Sequence, residues 1–335
     1  MVARPFPVNQ VLTGISIGYR NESSNLIADL VLPRVPVGGE RFSWTRFPIA
    51  QGFTVPRTLV GRRGRVERVE FLGKEETSEV FTYGLEDSIP QSDVDAAESM
   101  RARGLGNFNP LDFATEALTD LILLDREVRA AALIQNPNSY AANKRVALSG
   151  TAQFSDPASD AIGTLKAAFN STLIFRPNTM AMGRSVWSVL SSHPQIVNAI
   201  KGNVTSKGIV TPQEFVQLFS GEGLKTLAIG EAFVNIARPG QAANLSRVWG
   251  NHIAIMHINK MANPITGGAT FGFTAEYGRR IAGNWEDKDV GVEGGQVVRV
   301  GERLRELIVA PDVGFLIQNA VANTDTPTIV PAEAA

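Results

Sequence analysis

Between Arg57 and Glu79, 11 of 23 residues carry a charge, in a chain of 335 residues that is only 19% charged overall. Arg57, Arg62, Arg63, Arg65 and Arg68 crowd the first half, while Glu70, Glu75, Glu76 and Glu79 dominate the second. Two strand-like runs, Arg65–Phe71 and Thr77–Tyr83, flank Gly73 and Lys74, which predicts a long hairpin. Both of its faces are polar, so it has no hydrophobic side to bury, and a lone two-stranded hairpin is marginal in water. The core must therefore be built from other parts of the chain, and the ribbon gains order only by lying on something. A basic arm beside an acidic arm suits docking on a neighbouring subunit through complementary charge. These nine residues are the candidate inter-subunit contacts; the competing reading is a solvated surface hairpin.

With 44% apolar residues the chain can fill one large domain or two modest ones. The formal net charge is −1 and the sequence pI is near 6.4, so no global basic field draws it to nucleic acid or to a membrane surface. Any contact with DNA is expected to be weak and local. There is no cysteine, which excludes disulfides, thiolate metal sites and thiol nucleophiles and fits a reducing cytoplasm. The opening MVARPFPVNQVLTG lacks an apolar segment of signal-peptide length, and no run of about 18 apolar residues occurs. A soluble protein without a cleaved export signal is expected.

Residues 1 to about 45 mix short apolar runs with turn formers such as Pro5, Pro7, Gly14, Pro33 and Pro36, and read as an extended arm with one short helix near Asn25–Leu30. The prolines end that helix and keep the chain extended through Val37. Such an arm points again to partners, or to the edge of a strand-rich domain. The clearest helix opens at Asn109, a good N-cap, followed by Pro110 and Asp112, and runs to about Ile134. Leu111, Ala114, Leu118, Leu121 and Val128 form its apolar face, Asp112, Glu116 and Asp120 a polar stripe, and Arg126 and Arg129 fall late, as the helix dipole prefers. A rod of that length must span a domain and carry a sheet. Further helices are predicted over Asp160–Asn170, over Arg184–Lys201 with a break at Pro194, and from the capping box Thr211–Glu214 to a stop before Gly221 and Gly223. Strands follow over Leu224–Ile229, Ala232–Ala237, an alternating run Arg247–Ile258, Val297–Leu307 and Val313–Gln318, and residues 323–335 read as a tail. Helices and strands in segregated blocks argue for the α+β class.

No catalytic or metal-binding constellation emerges. His252 and His257 stand five apart on a predicted strand, on opposite faces, and His193 has no partner in the pattern. The run Gly221–Thr226 lacks the glycine that precedes the lysine of a phosphate loop, Gly104-Leu105-Gly106 lacks the third glycine of a dinucleotide site, and Gly183–Trp187 lacks the second glycine of a nucleophile elbow. Glu286, Asp287 and Asp289 fit no calcium loop and read as a solvated turn. No enzyme, cofactor or metal is expected.

The order of parts resembles the major capsid proteins of tailed bacteriophages: an extended arm with Ile27-Ala28-Asp29 and Pro33–Val37, a charged hairpin, a long helix, a mixed middle domain and a final strand through Glu302–Asp312. The resemblance covers nearly the whole chain and implies the Hong Kong 97 type fold. It implies an N-terminal arm over 1–45, an extended loop over 46–90 that reaches a neighbour and a peripheral domain over 91–185 with its spine helix 109–134. An axial domain over 186–285, return strands over 286–322 and the tail 323–335 complete the division. It further implies pentamers and hexamers in an icosahedral shell around double-stranded DNA, assembled in the bacterial cytoplasm with a separate scaffolding protein, a portal and possible decoration proteins, and no membrane partner. Some related shells are locked by a lysine to asparagine cross-link; Lys74 lies in the ribbon, but the pattern names no partner asparagine and no catalytic glutamate, so that chemistry is not carried over. An encapsulin-like cellular compartment of the same fold and a soluble α+β enzyme with dispersed site residues are the alternatives.

Overall fold

The computed structural model describes residues 21–22, 25–46, 51, 53–70, 72–172, 174–202, 208–238, 240–260 and 268–322. The first twenty residues of the expected arm and the expected tail 323–335 lie outside the described residues. In chain order the first elements are α1 (Ala28–Val31), β1 (Arg34–Pro36), β2 (Arg41–Arg46), β3 (Lys74–Glu79), β4 (Phe81–Pro90), α2 (Gln91–Ala102) and α3 (Pro110–Ile134). Then come β5 (Arg145–Ala147), α4 (Ala161–Ser171), β6 (Thr179–Gly183), α5 (Arg184–Leu190), α6 (Pro194–Lys201) and α7 (Pro212–Leu218). The chain closes with β7 (Thr226–Gly230), β8 (Phe233–Asn235), β9 (Leu245–Arg247), β10 (Ile253–Met256), β11 (Gly272–Glu276), β12 (Ile281–Asp287), β13 (Gly295–Ile308) and β14 (Gly314–Gln318).

Helix α3 is the spine, 25 residues and so about 37 Å long. The Asn109 side chain accepts from the Leu111 amide at 3.2 Å and donates to Asp112 at 2.8 Å, a cap whose loss costs about 1 kcal/mol. Ala114, Leu118 and Ile122, four apart, pack onto Ile89, Val298 and Val300. Leu121 does not join them. At 100° per residue it turns away from Ile122 and stands exposed with Phe113.

The sheet under α3 has the order β1-β11-β13-β12, with β4 also paired to β13. The 14-residue β13 is its girder: β4 lies antiparallel along Gly295–Leu304, while β12 and then β11 share the other edge. The second sheet has the order β5-β14-β10-β6-β7. Helices α4 to α7 cover one of its faces with Leu165, Phe169, Trp187 and Phe215; α1, the end of α3, Trp249 and Phe271 cover the other. β10 is thus buried on both faces, and this is why the alternation expected over 247–258 is absent. The chain turns aside between β9 and β10, and His252 and His257 flank β10 rather than lying within it.

Packing divides the chain differently from the boundaries that the resemblance implies. β5, α4 and β6, all before residue 186, belong to the second sheet and its helices, while β11 and β12, before residue 286, belong to the first. Helix α2 was not foreseen. Its opening, Pro90-Gln91-Ser92-Asp93, carries a helix-start signal that the neighbouring charged ribbon overshadows.

Candidate assembly surface

The predicted hairpin is replaced by another. β3 pairs antiparallel with β2, Arg41 opposite Glu79 and Arg46 opposite Lys74, while residues 65–70 form no strand. The chain leaves the ribbon after Arg46 and returns at Lys74. The reason is burial: Arg65–Phe71 carries charge on both sides, whereas Arg41–Arg46 alternates Phe42 and Trp44 with polar residues and so offers an apolar side. The Phe42 and Trp44 rings lie 5.9 Å apart, and Phe42 packs against the buried cluster of Val35, Val37, Phe273 and Ala275. The period-two signal of Arg41–Arg46 stands in the sequence, inside the stretch read there as arm.

This pairing separates the nine candidate residues into two sets. Glu75, Glu76 and Glu79 sit on β3, where Glu79 meets Arg41 at 3.4 Å and Glu76 meets Arg46 at 4.0 Å. Arg57, Arg62, Arg63, Arg65, Arg68 and Glu70 sit on the excursion, and every residue from 53 to 70 is exposed. None of these five arginines forms an ion pair with a described residue. Among them stand apolar side chains with no cover, Val55 88%, Leu59 80% and Val66 76% exposed. Within the excursion, the Gly64 amide donates to Gly61 at 2.8 Å and the Glu67 carboxylate accepts from the Arg57 amide at 3.2 Å.

The segment 27–37 behaves in the opposite way. Ile27, Ala28, Val31, Leu32 and Val35 are buried within the subunit. The adjacent α3 residues Arg126 and Glu127 grip both ends of α1. Glu127, fully buried, accepts from the Ile27 and Ala28 amides at 2.8 Å each and from the Trp249 indole at 2.6 Å. Burial pushes its carboxyl up from the ordinary range, and those three donors with Arg126 oppose the shift. Arg126 donates to Asp29 at 2.8 Å, to the Leu32 carbonyl at 3.1 Å and to the Thr274 hydroxyl at 3.2 Å. Negative charge thus meets the amide end of α1 and positive charge its carbonyl end. Arg34 continues the network to Glu276 at 2.9 Å and Glu302 at 3.0 Å, and Arg280 donates to Glu302 at 3.1 Å. Burial works against the Arg34 charge, but Glu302, Asp29 and Glu276 outweigh it and hold its pKa above the ordinary value. The sequence carried a sign of this: Arg126 continues the buried row Leu118, Ile122 at four-residue spacing, a charge where an apolar residue belongs.

The histidines have structural partners. His193 caps α6 by accepting from the Gln195 amide at 3.3 Å, with Ser159 Oγ at 3.1 Å on its other nitrogen; His252 accepts from the Asn319 amide at 3.0 Å; His257 stacks on Phe175. Among the described residues no cluster of three His, Asp or Glu could hold a metal ion, and no helix is long and apolar enough to cross a membrane.

The architecture matches solved phage capsid structures. The chain superposes on a phage-related protein of Bordetella bronchiseptica with a TM-score of 0.67 at 19% identity, over 90% of this chain and 94% of that one. It superposes on the capsid of the cyanophage P-SCSP1u with a TM-score of 0.58 at 9% identity, over 91% and 90%. The capsid of the native GTA particle gives 0.57 at 13% identity, over 96% of both chains. The fold is that of capsid subunits of the Hong Kong 97 type. No family model matches the chain. In sequence it is 46% identical to the major capsid protein of Pseudomonas phage JBD67, over 95% of this chain and 98% of that one, and 29% identical to that of Burkholderia phage BcepMu, over 92% and 95%. The chain belongs to the family of phage major capsid proteins, which favours the phage reading over a cellular compartment or a soluble enzyme.

Proposed function

We propose that this chain is the structural subunit of a phage head, building pentamers and hexamers of an icosahedral shell that encloses double-stranded DNA. The observation that carries this reading is the excursion 53–70, exposed along its whole length and carrying five arginines and several large apolar side chains that its own subunit leaves uncovered. A segment of that kind gains order from adjacent copies. Contacts of this sort close into rings when each copy passes its loop to the next, and many weak contacts become strong together in a closed shell. The sheet carrying α3 serves as the peripheral domain, and the helix-covered second sheet as the axial domain near the capsomer centres. A net charge of −1 suits a wall that must not bind packed DNA tightly. Assembly in the host cytoplasm with a scaffolding protein and a portal completes the proposal.

The test is expression of the chain alone and with a candidate scaffolding protein, followed by size-exclusion chromatography and negative-stain electron microscopy. Rings or shells are expected. A small defined oligomer under both conditions, at every concentration tried, overturns the reading.

A further inference from the structure

In the sheet that carries α3, β4 and β12 lie on opposite sides of β13, and their outer edges are built differently. β4 sets Glu86 and Asp87 at mid-strand and ends at Pro90, the charge and the proline with which proteins discourage a further strand. β12 has no such guard: Ile281-Ala282-Gly283-Asn284-Trp285 is uncharged, and every residue from 281 to 286 is exposed. Among the described residues no strand pairs with its outer edge. One strand further in, Val297, Val298 and Val300 of β13 are buried, so the exposure belongs to the edge itself. Ile281 is 61% and Trp285 38% exposed. Gly283 lies between them, and a Cβ placed there would meet nothing within 4 Å.

The two ends of β12 carry opposite charge. Arg279 and Arg280 precede it, and Glu286 and Asp287 close it. Arg279, Glu286 and Asp287 form no ion pair with a described residue, whereas Arg280 holds Glu302. A strand that is basic at one end, acidic at the other and uncharged between is complementary to itself run backwards. Laid antiparallel on a second β12 with Gly283 facing Gly283, it sets Arg279 opposite Asp287, Arg280 opposite Glu286 and Ile281 opposite Trp285. Shifting the register by two residues brings Arg280 opposite Lys288 instead. The side chains also fall on suitable faces. Trp285 lies under Arg299 on one face of the sheet, where Ile281 of the second copy reaches it; Asn284, which donates to Gln296 at 3.3 Å, lies on the other with Arg280 and Glu302. The bare Gly283 lets the two backbones approach.

We propose that β12 of one copy pairs antiparallel with β12 of a second copy across a two-fold axis of the shell, joining β4, β13 and β12 of each into one continuous sheet. Such a contact is isologous, since the same patch serves both partners, and a closed shell of one subunit has two-fold axes at which to place it. The inference rests on the shell reading and names a surface that the excursion does not use. Ile281 and Trp285 lose their exposure, and the outward N–H and C=O groups of β12 gain partners.

Because the chain has no cysteine, one substitution reports the contact. A side chain at 283 enters open space, and directly opposite residues of an antiparallel pair stand about 4.5–5.5 Å apart at Cα, within the reach of a disulfide. The Gly283→Cys chain is assembled with an equal amount of wild-type chain, and the shells are oxidised. About half of its copies should run as a covalent homodimer in non-reducing electrophoresis, since each meets either kind of partner equally often. Asn284→Cys, one residue along and on the other face, should stay monomeric. Amide hydrogen exchange on wild-type shells is the second measurement: the peptide over 281–287 should exchange about tenfold more slowly, or slower still, than in the unassembled chain. Shells that hold the Gly283→Cys chain without the homodimer overturn the inference, as does unchanged exchange over 281–287; protection without the homodimer means that another segment covers the edge, and overturns it too. Failure of the wild-type chain to form any shell overturns the shell reading instead.

Discussion

Residues 27–37 and 53–70 both mix apolar side chains with charges and both lack long regular structure, yet the first stretch is built into its own subunit while every residue of the second is exposed. The difference lies in where the charges find partners. Asp29 and Arg34 meet Arg126, Glu276 and Glu302 within the same chain, so Val31 and Leu32 can be buried beside them. Among the described residues the loop arginines form an ion pair with no carboxylate, and the hydrocarbon between them stays exposed. A polar segment joins a core only when its charges are answered there. One that is not answered is held in reserve for another molecule.

The largest expected effect breaks the first region. Replacing Glu127 by Ala strands three donors and leaves Arg126 buried without its neighbour, and should cost about 3–5 kcal/mol in urea unfolding of the unassembled subunit. Glu127→Gln, which keeps one acceptor, should cost clearly less. Next comes Leu32→Ala: with Leu32 fully buried, a loss of about 2–5 kcal/mol is expected, whereas Leu59→Ala in the loop should change stability by less than about 0.5 kcal/mol. Equal losses at the two sites would erase the contrast. Third, reversing Arg62, Arg63 and Arg65 should leave the melting temperature of the subunit nearly unchanged while abolishing particles in electron microscopy; normal particles from that variant would contradict the docking role of the loop.

The smallest effect concerns pH and lies in neither region, which makes it a control. His193 is buried, and its Nδ1 accepts from the Gln195 amide, so the neutral ring is the form that fits. Burial pushes its pKa below the ordinary value, with Asp156 opposing. The depressed value means that its contribution to stability is complete above about pH 6.5 and declines as pH falls below that toward the folded value. Thermal melts at pH 7.5 and 5.5 should show a smaller acid-induced drop for His193→Gln than for the wild-type chain. An identical drop in both would assign the acid sensitivity to other groups.

Much of this was legible in the residues. The start of α3 at Asn109-Pro110, the break at Pro194 and the capping box at Thr211–Glu214 all stand where local chemistry placed them, because caps and prolines act within one turn. The ribbon was read in the right place but with the wrong partner. Its pairing depends on Phe42 finding the cluster of Val35 and Phe273, and Phe273 lies more than two hundred residues further along the sequence. The hub at Arg126 and Glu127 was missed for the same reason. Adjacent opposite charges on a helix look like surface decoration until α1, β11 and Trp249 converge on them.

That convergence also sets a schedule. A helix of four residues has no stability of its own, so α1 forms only when Glu127 and Trp249 are available to hold it. Trp249 leaves the ribosome about 220 residues after Leu32, roughly ten to forty seconds later at ordinary translation speed. During that interval the leading segment has nowhere to settle. Its docking is among the last events of subunit folding, a built-in signal that the polypeptide behind it has been made.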